Sequence, residues 1–248
     1  MPLALGFALL IGASLALFGA GGSIVTVPVL VYVLGLDPHR AAGTSLVVVG
    51  LVAVVGALAQ WRAASIRTGV VFGLAGMLGA LPGAWLNHQV PPSVVLLGFA
   101  MTMLLAAGRM GLTTRAAAAT SPSAVAPVRA VLLGVGVGAA TGFFGVGGGF
   151  LIVPALTLFL RVPMRCAVAT SLVVISLNSL AGLVGHLAYG GVEWRLGSEM
   201  TLAALAGALI TLPLAKRVSG PILQRGFAGA IALLGSIMFI QTMREMLA

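Results

Sequence analysis

The chain consists of long apolar runs separated by short polar or Pro- and Gly-rich breaks. A bilayer core is about 30 Å thick, so a helix needs roughly 20 apolar residues to cross it. Backbone polar groups must be satisfied inside lipid, so we interpret the runs as helices. Two runs, 24–35 and 150–160, are too short to cross. The full set is 3–18, 24–35, 40–60, 69–87, 93–111, 128–144, 150–160, 166–189, 197–215 and 222–243.

Composition supports this interpretation. Of the 248 residues, 60% are hydrophobic and 7% are charged, whereas a soluble domain has about a quarter charged residues. The sequence therefore predicts an all-α polytopic membrane protein with about 8–10 membrane segments. The acidic residues Asp37, Glu193, Glu199 and Glu245 are too few and scattered for acid–base or metal enzymology. We predict no enzyme activity, no cofactor and no metal site.

The two halves of the chain repeat each other. Residues 19–48 align without a gap on residues 145–174, 126 positions further on, and thirteen of the thirty aligned residues are identical. Identical residues include paired glycines, the prolines at 28 and 154, and the Thr-Ser pairs at 44–45 and 170–171. We predict an internal duplication, with a first repeat at 1–112, a linker at 113–127 and a second repeat at 128–248.

Charge placement predicts that the repeats are inverted. The formal charge of +9 comes from basic residues dispersed between the apolar runs, which favours loops facing anionic lipid over nucleic-acid binding. By the positive-inside rule, the loops around Arg62, the linker, Arg161 and Lys216 are cytoplasmic. The loop after the first glycine motif then lies outside and the loop after its copy lies inside. Each half then has an odd number of crossings: either five, or three transmembrane helices plus a re-entrant, Gly-broken helical hairpin.

Inverted repeats with broken helices are typical of transporters, whose substrates bind near the membrane midplane. A glycine cluster interrupts an apolar run just before each short segment. A half-helix that starts there offers unpaired N–H groups and a positive dipole end, which suit an anion. The alternative is that the glycines only allow close helix packing. The candidate substrate-binding residues are Gly19, Gly21, Gly22 and Ser23, with Gly145, Gly147, Gly148 and Gly149 in the second copy.

Other polar residues in the apolar runs are candidates for the same site. The hydroxyls of Thr44, Ser45, Thr170 and Ser171 could donate to substrate oxygens, or could instead bond to their own helix carbonyls. Asn178 is a candidate for substrate contact or for helix–helix bonding. His186 is the only ionisable residue well inside an apolar run, which makes it a candidate proton carrier. An interfacial, structural histidine is the alternative for that residue.

The paired motifs resemble the TauE/SafE family. Each copy reads G-x-G-G-[SG]-x-x-x-V-P-x-L and is followed, sixteen residues after the proline, by Thr-Ser. Members of that family are known as sulfite exporters or sulfonate permeases. The resemblance implies transport of sulfite, sulfoacetate, thiosulfate or an organosulfonate across the bacterial inner membrane. The first copy has Ser23 where the second has Gly149, so the two motifs are not equivalent.

The sequence therefore predicts a multi-pass inner-membrane protein that moves a small sulfur-containing anion by alternating access, with the anion held between the two half-helices. Its predicted partners are that anion and membrane lipid, and a homodimer stays open. The absence of a nucleotide-binding motif favours secondary transport. A passive anion channel and a non-transporting membrane subunit are the alternatives.

Overall fold

The structure is a computed structural model that describes residues 2–20, 22, 26–27, 29–87, 89–112, 126–144, 149–188 and 191–247. Most of the predicted linker therefore lies outside the described residues. Within the described ranges, the chain forms α-helices and two π-helical turns and has no strand. The helices are α1 (Pro2–Phe18), α2 (Pro38–Ala59), α3 (Ile66–Asn87), α4 (Pro92–Leu112), α5 (Pro127–Phe144), α6 (Gly149–Pro154), α7 (Met164–Ala188), α8 (Trp194–Arg217) and α9 (Gly220–Leu247).

Seven of the described helices, α2 to α5 and α7 to α9, are long and apolar enough to cross a membrane. Shorter apolar helices cover Ala4–Phe18 and Gly149–Phe159. The prediction of an all-α polytopic membrane protein is confirmed. The second short run was also predicted correctly, because α6 and the π-helical turn that follows it cover Gly149–Phe159.

The π-helical turns occupy equivalent positions in the two halves. They cover Val29–Val33 and Ala155–Phe159, 126 positions apart, and each follows a proline. Each turn leads to a residue with a left-handed backbone: Gly35 has a φ of 67° and Arg161 has a φ of 52°. Glycine adopts this conformation freely, whereas a side chain strains it. The two halves thus share a backbone path at a position where only the first has the favoured residue.

Glycines bring two helix pairs together in matching ways. A Cβ on Gly12 of α1 would collide with the Ala204 carbonyl of α8, and one on Gly138 of α5 would collide with the Gly76 carbonyl of α3. Gly207 packs in the same manner against the Leu9 carbonyl, and Gly79 against the Val135 carbonyl. Position by position, the α1–α8 contacts repeat the α5–α3 contacts. The helices that precede the two glycine motifs, α1 and α5, therefore each pack against a helix from the other half of the chain.

The equivalent helices α2 and α7 pack against each other and run antiparallel. Gly56 of α2 contacts Leu172 of α7, and Gly182 of α7 contacts Leu46 of α2, so rising numbers on one helix meet falling numbers on the other. These two contacts are also exchanged by the shift of 126 positions. Antiparallel packing of equivalent helices is the arrangement that inverted repeats require, while the orientation of the halves in a membrane stays a prediction.

The short segment that follows each glycine motif packs against longer helices. Gly22 lies against the Ile11 carbonyl and the Leu15 side chain of α1, and the buried Thr26 hydroxyl donates to the Gly22 carbonyl at 2.6 Å. In the second half, the fully buried ring of Phe150 in α6 meets Phe99 of α4 edge-on, with centroids 4.9 Å apart. The described residues of both short segments are thus packed inside the protein.

Candidate functional site

The glycine motifs are described in part. Gly19, Gly22 and Gly149 are placed, and Gly149 is buried at the first residue of α6. The remaining motif candidates, Gly21, Ser23, Gly145, Gly147 and Gly148, lie outside the described residues.

Gly19 and Ser171 come together across the two halves. Gly19 has a φ of 70°, and a Cβ there would collide with the Ser171 hydroxyl and stand 2.7 Å from the Val168 carbonyl. The Ser171 hydroxyl has two acceptors in reach, the Gly19 carbonyl at 2.8 Å and the Val168 carbonyl at 2.7 Å. Gly19, which directly follows α1, thus packs closely against the N-terminal part of α7, and only glycine can occupy position 19.

Thr170 lies at the centre of one contact between the two halves of the chain. We call this contact the Thr170 junction, and it consists of Thr170, Ser65, Gly69 and Cys166. The buried Thr170 hydroxyl oxygen accepts a hydrogen bond from the backbone N–H of Ser65 at 3.0 Å, where α3 begins. Its methyl group would stand 3.3 Å from a Cβ on Gly69. The Cys166 sulfur lies 3.7 Å from the same hydroxyl, and the Ser65 and Thr68 hydroxyls bond at 2.8 Å.

Thr44 closes the equivalent contact, the Thr44 junction: Thr44, Glu193, Gly197 and Arg40. The buried Thr44 hydroxyl oxygen accepts from the backbone N–H of Glu193 at 3.0 Å, where α8 begins. Its methyl group would stand 3.3 Å from a Cβ on Gly197. Here the Glu193 carboxylate also pairs with the Arg40 guanidinium at 3.8 Å. Both threonines, predicted as substrate ligands, therefore hold the start of a helix from the other half.

The two Thr-Ser pairs do not converge on one place. Leu46 lies level with Gly182, and Leu172 lies level with Gly56. Along α2, these two contacts are ten residues apart, which is about 15 Å of helix. Thr44 and Ser45 lie before the first contact and Thr170 and Ser171 lie past the second, so the two pairs are farther apart still. Ser45 and Ser171 also donate to their own helix, at 2.7 Å, to the carbonyls of Ala42 and Val168. Each pair therefore serves its own end of the α2–α7 contact.

A cleft of about 390 Å³ opens beside the Thr170 junction. Leu17, next to the first hairpin's glycine turn, and Val168, which contacts Gly19, both line it. Its mouth carries two exposed arginines, Arg62 and Arg165. The remaining described lining is Ala59, Gln60, Trp61, Ala63, Ala215 and Leu223. The cleft runs from the predicted cytoplasmic loop at Arg62 to the C-terminal end of α1, next to Gly19.

Both arginines are held in place at the cleft. The Arg62 guanidinium lies 5.4 Å from the centroid of the Trp61 ring, and the Arg165 Nε donates to the Val218 carbonyl at 3.1 Å. Gln60, deeper in the cleft, donates through Nε2 to the Ala16 carbonyl at 3.4 Å. No acidic side chain is among the described residues that line the cleft. Two fixed positive charges over a partly apolar pocket favour a small anion.

Asn178 and His186 lie elsewhere on α7. Asn178 borders a separate small cavity, and its Oδ1 is buried without a hydrogen-bond partner. His186 belongs to the last turns of α7, but its side chain lies outside the described part of the structure. Among the described residues, no group of three His, Cys, Asp or Glu side chains is placed to hold a metal ion.

Comparison with known proteins identifies the family. The family described as "Sulfite exporter TauE/SafE" matches residues 4–238. The chain belongs to the TauE/SafE sulfite exporter family. With its apolar helices, this makes the chain a multi-pass membrane transporter, as predicted, and an inner-membrane location is consistent with it. No solved structure matches the chain significantly.

Relatives of this TauE/SafE protein carry transporter names. A "Probable membrane transporter protein" of Xylella fastidiosa is 35% identical over 217 residues, which are 85% of this chain and 83% of the relative. YunE of Bacillus subtilis, also named a probable membrane transporter protein, is 29% identical over 218 residues, 77% of this chain and 80% of the relative. MJ0441 of Methanocaldococcus jannaschii bears the same description and is 26% identical over 194 residues, 75% of this chain and 72% of the relative.

Several residues of the candidate site carry no recognisable pattern in the sequence. Arg165 and Gln60 were not connected with a binding cleft, because they are more than a hundred positions apart and meet only in the fold. Ser65 contributes a backbone N–H, which leaves no mark in a sequence. The paired basic residues around the loop at 60–67 were the one available signal, and topology alone explained them.

Proposed function

We propose that this chain is a secondary transporter that moves a small sulfur-containing anion, such as sulfite, sulfoacetate, thiosulfate or an organosulfonate, by alternating access. The family supplies the class of substrate, since its description names sulfite export. The pseudo-symmetric junctions supply a mechanism. A fold with the same contact at both ends of one helix pair can open either end at similar cost, which alternating access requires.

The single observation that carries the proposal is the cleft between Arg62 and Arg165. A volume of about 390 Å³ is ample for sulfite and admits a small organosulfonate beside Trp61. The arginines draw the anion in, because positive charges at the mouth of a cleft raise the local concentration of anions. The anion then moves past Leu17 and Val168 towards Gly19. The half-helix that the sequence predicts after Gly19 would replace the anion's hydration shell with backbone N–H groups.

Uptake by purified protein in proteoliposomes tests the cleft. We expect saturable uptake of radiolabelled sulfite that taurine, thiosulfate or sulfoacetate reduces. Arg62→Gln and Arg165→Gln should each raise the KM for sulfite about two- to threefold, since each removes one of two exposed, partly screened positive charges at the cleft. Arg67→Gln is the matched control, because Arg67 is an exposed arginine of the same loop region that does not line the cleft.

The alternatives make different predictions in the same assay. A passive channel would give flux that rises linearly with sulfite concentration. A non-transporting subunit would give no flux from well-folded protein, while both arginine variants would leave its assembly unchanged. An unchanged KM in both arginine variants would remove the cleft from the substrate path and overturn the proposal as stated.

A further inference from the structure

The walls of the arginine cleft are largely apolar. Among the described residues that line it, Arg62, Arg165 and Gln60 carry the charged or amide groups, and the others are aromatic or aliphatic. The Trp61 side chain is 56% exposed, and the Arg62 guanidinium lies 5.4 Å from the centroid of its ring. An anion that pairs with Arg62 therefore lies beside the indole. Whatever is attached to the anionic group then meets Trp61 and the aliphatic wall, which suits an apolar tail.

The acidic residues of the chain lie at the end of the molecule opposite this cleft. α2 and α8 end at the cleft, at Ala59 and Ala215, whereas α9 begins there, near Leu223. Two acidic residues directly precede α2 and α8, a third is in the second turn of α8, and the fourth is in the last turn of α9: Asp37, Glu193, Glu199 and Glu245. At 1.5 Å per residue of helix, each is about 24–33 Å from the cleft. Salt screens exposed charges beyond about 8–10 Å, so these carboxylates do not act on a ligand in the cleft.

The charges around the cleft are instead positive. The lining residues of α8 and α9, Ala215 and Leu223, are each two positions from an exposed arginine. These arginines, Arg217 and Arg225, add to the charges of the two cleft arginines. A cleft with one sign of charge concentrates ions of the opposite sign and repels ions of its own. A ligand with an ammonium group on its tail would bring a positive charge to these arginines with no carboxylate to pair with it, and an unpaired charge is a means of rejecting a ligand.

We propose that the cleft selects sulfonates whose tail is apolar and carries no positive charge, and discriminates against sulfonates that carry an amine, such as taurine. This inference rests on the proposed function, because it takes the cleft to be the entry site for a sulfur-containing anion. Taurine and propane-1-sulfonate are a matched pair of ligands, since an ammonium group in the first takes the place of a methyl group in the second. The sulfonate group and the length are the same, so a difference in affinity reports the end of the tail alone.

Fluorescence of Trp61 measures occupancy of the cleft without any transport. The chain has three tryptophans, and replacing Trp85 and Trp194 by phenylalanine leaves Trp61 as the single indole. The two replaced residues are exposed, at the end of the molecule away from the cleft. Titration of this protein in a non-ionic detergent, at constant ionic strength, gives a Kd for each sulfonate from the change in emission.

We expect propane-1-sulfonate to bind about tenfold more tightly than taurine. Each cleft arginine should contribute a factor of about two to three against the ammonium group, and loss of the methyl contact with the apolar wall should contribute about twofold more. Each CH₂ group added between methanesulfonate and propane-1-sulfonate should likewise tighten binding about twofold, which is less than full burial would give because the cleft is open to water. Taurine should therefore reduce sulfite uptake only at higher concentrations than propane-1-sulfonate.

Gln60→Glu tests the charge argument in the opposite direction. Gln60 lines the cleft, and glutamate places a carboxylate there on a side chain of the same length. The ratio of the two Kd values should then fall from about tenfold to about one, because the ammonium group gains a partner of opposite charge. Gln89→Glu is the matched control and should leave the ratio unchanged, since Gln89 is exposed between α3 and α4 at the far end of the molecule.

The outcomes separate this inference from the proposed function. Equal Kd values for taurine and propane-1-sulfonate, or a ratio that Gln60→Glu leaves unchanged, overturn the selection by charge while sulfite transport stands. Sulfite flux from protein whose Trp61 emission responds to no sulfonate also overturns the inference. Selective binding of propane-1-sulfonate without flux of any sulfur anion upholds the selective cleft and contradicts the proposed function.

Discussion

The two junctions between the halves share a geometry and differ in chemistry. At each, a buried threonine hydroxyl accepts from the backbone N–H at the start of a helix, at the same distance of 3.0 Å, and a glycine lets the threonine methyl approach. Around Thr44 the neighbours form an exposed ion pair, whereas around Thr170 they are a thiol and two hydroxyls. The arginine cleft opens beside the second.

The two junctions share their backbone contacts and differ in the side chains that surround those contacts. The residues that repeat at both junctions have no charge and act on the backbone. The side chains that differ are the ion pair of Arg40 with Glu193 at one junction and the thiol of Cys166 with the hydroxyl of Ser65 at the other. Duplication therefore preserved the backbone contact between the halves, while the side chains around it diverged.

The largest effect is expected where glycines hold the helices that carry the junctions. Gly12→Ala and Gly138→Ala each place a methyl group against a backbone carbonyl that cannot move aside. Each should lower the free energy of unfolding by about 3 kcal/mol. Melting temperature and size-exclusion profile in detergent measure the loss, which should be similar at the two equivalent positions.

Gly136→Ala is the matched control for that pair. Gly136 lies on the same helix as Gly138, and no atom lies within 4 Å of where its Cβ would be. Because alanine is the better helix former, this variant should be up to about 1 kcal/mol more stable. Equal destabilisation by Gly136→Ala and Gly138→Ala would contradict the close α3–α5 approach.

The next effect is expected at the threonines themselves. Thr44→Val and Thr170→Val keep the shape but leave the N–H of Glu193 or Ser65 without its acceptor. Each should cost about 2 kcal/mol and speed hydrogen exchange at that amide, while serine at either position restores most of the loss. Exchange measured by mass spectrometry reports both amides. Protection unchanged in both valine variants would mean that the junctions do not hold the helices.

A smaller effect of opposite sign is expected just before α2 and α7. Arg161→Gly should raise the free energy of unfolding by about 1 kcal/mol, because Arg161 is held at a φ of 52°. Gly35→Ala should lower the free energy of unfolding by about 1 kcal/mol, since its Cβ would meet nothing within 4 Å and only the backbone strain counts. Arg161→Ala removes the charge and keeps the strain, so stabilisation by that variant would refute this explanation.

The smallest effect is expected at the ion pair of the Thr44 junction. Arg40 and Glu193 are 62% and 44% exposed, and exposed pairs contribute little because water and salt screen them. Arg40→Gln should change the free energy of unfolding by less than about 0.5 kcal/mol, and less again at high salt. A loss as large as that of Thr44→Val would show that charge, rather than the threonine, holds this junction.

Sequence patterns predicted much of the fold but only part of the site. Long apolar runs gave the membrane helices, and the glycine and proline spacing gave the duplicated short segments. The roles of Thr44 and Thr170 could not be read this way, because their partners are backbone N–H groups more than a hundred positions distant. Nor could the unpartnered Asn178 oxygen, since partners depend on which helices pack together.

Counterflow most directly tests the claim that this protein is a carrier with two alternately opened ends. Proteoliposomes loaded with unlabelled sulfite would be diluted into a trace of ³⁵S-sulfite, and the label inside followed with time. Alternating access predicts a transient accumulation of label above equilibrium, reduced by Arg62→Gln and Arg165→Gln and retained by Arg67→Gln. Label that only approaches equilibrium, from protein that conducts sulfite, would contradict a carrier and indicate a channel.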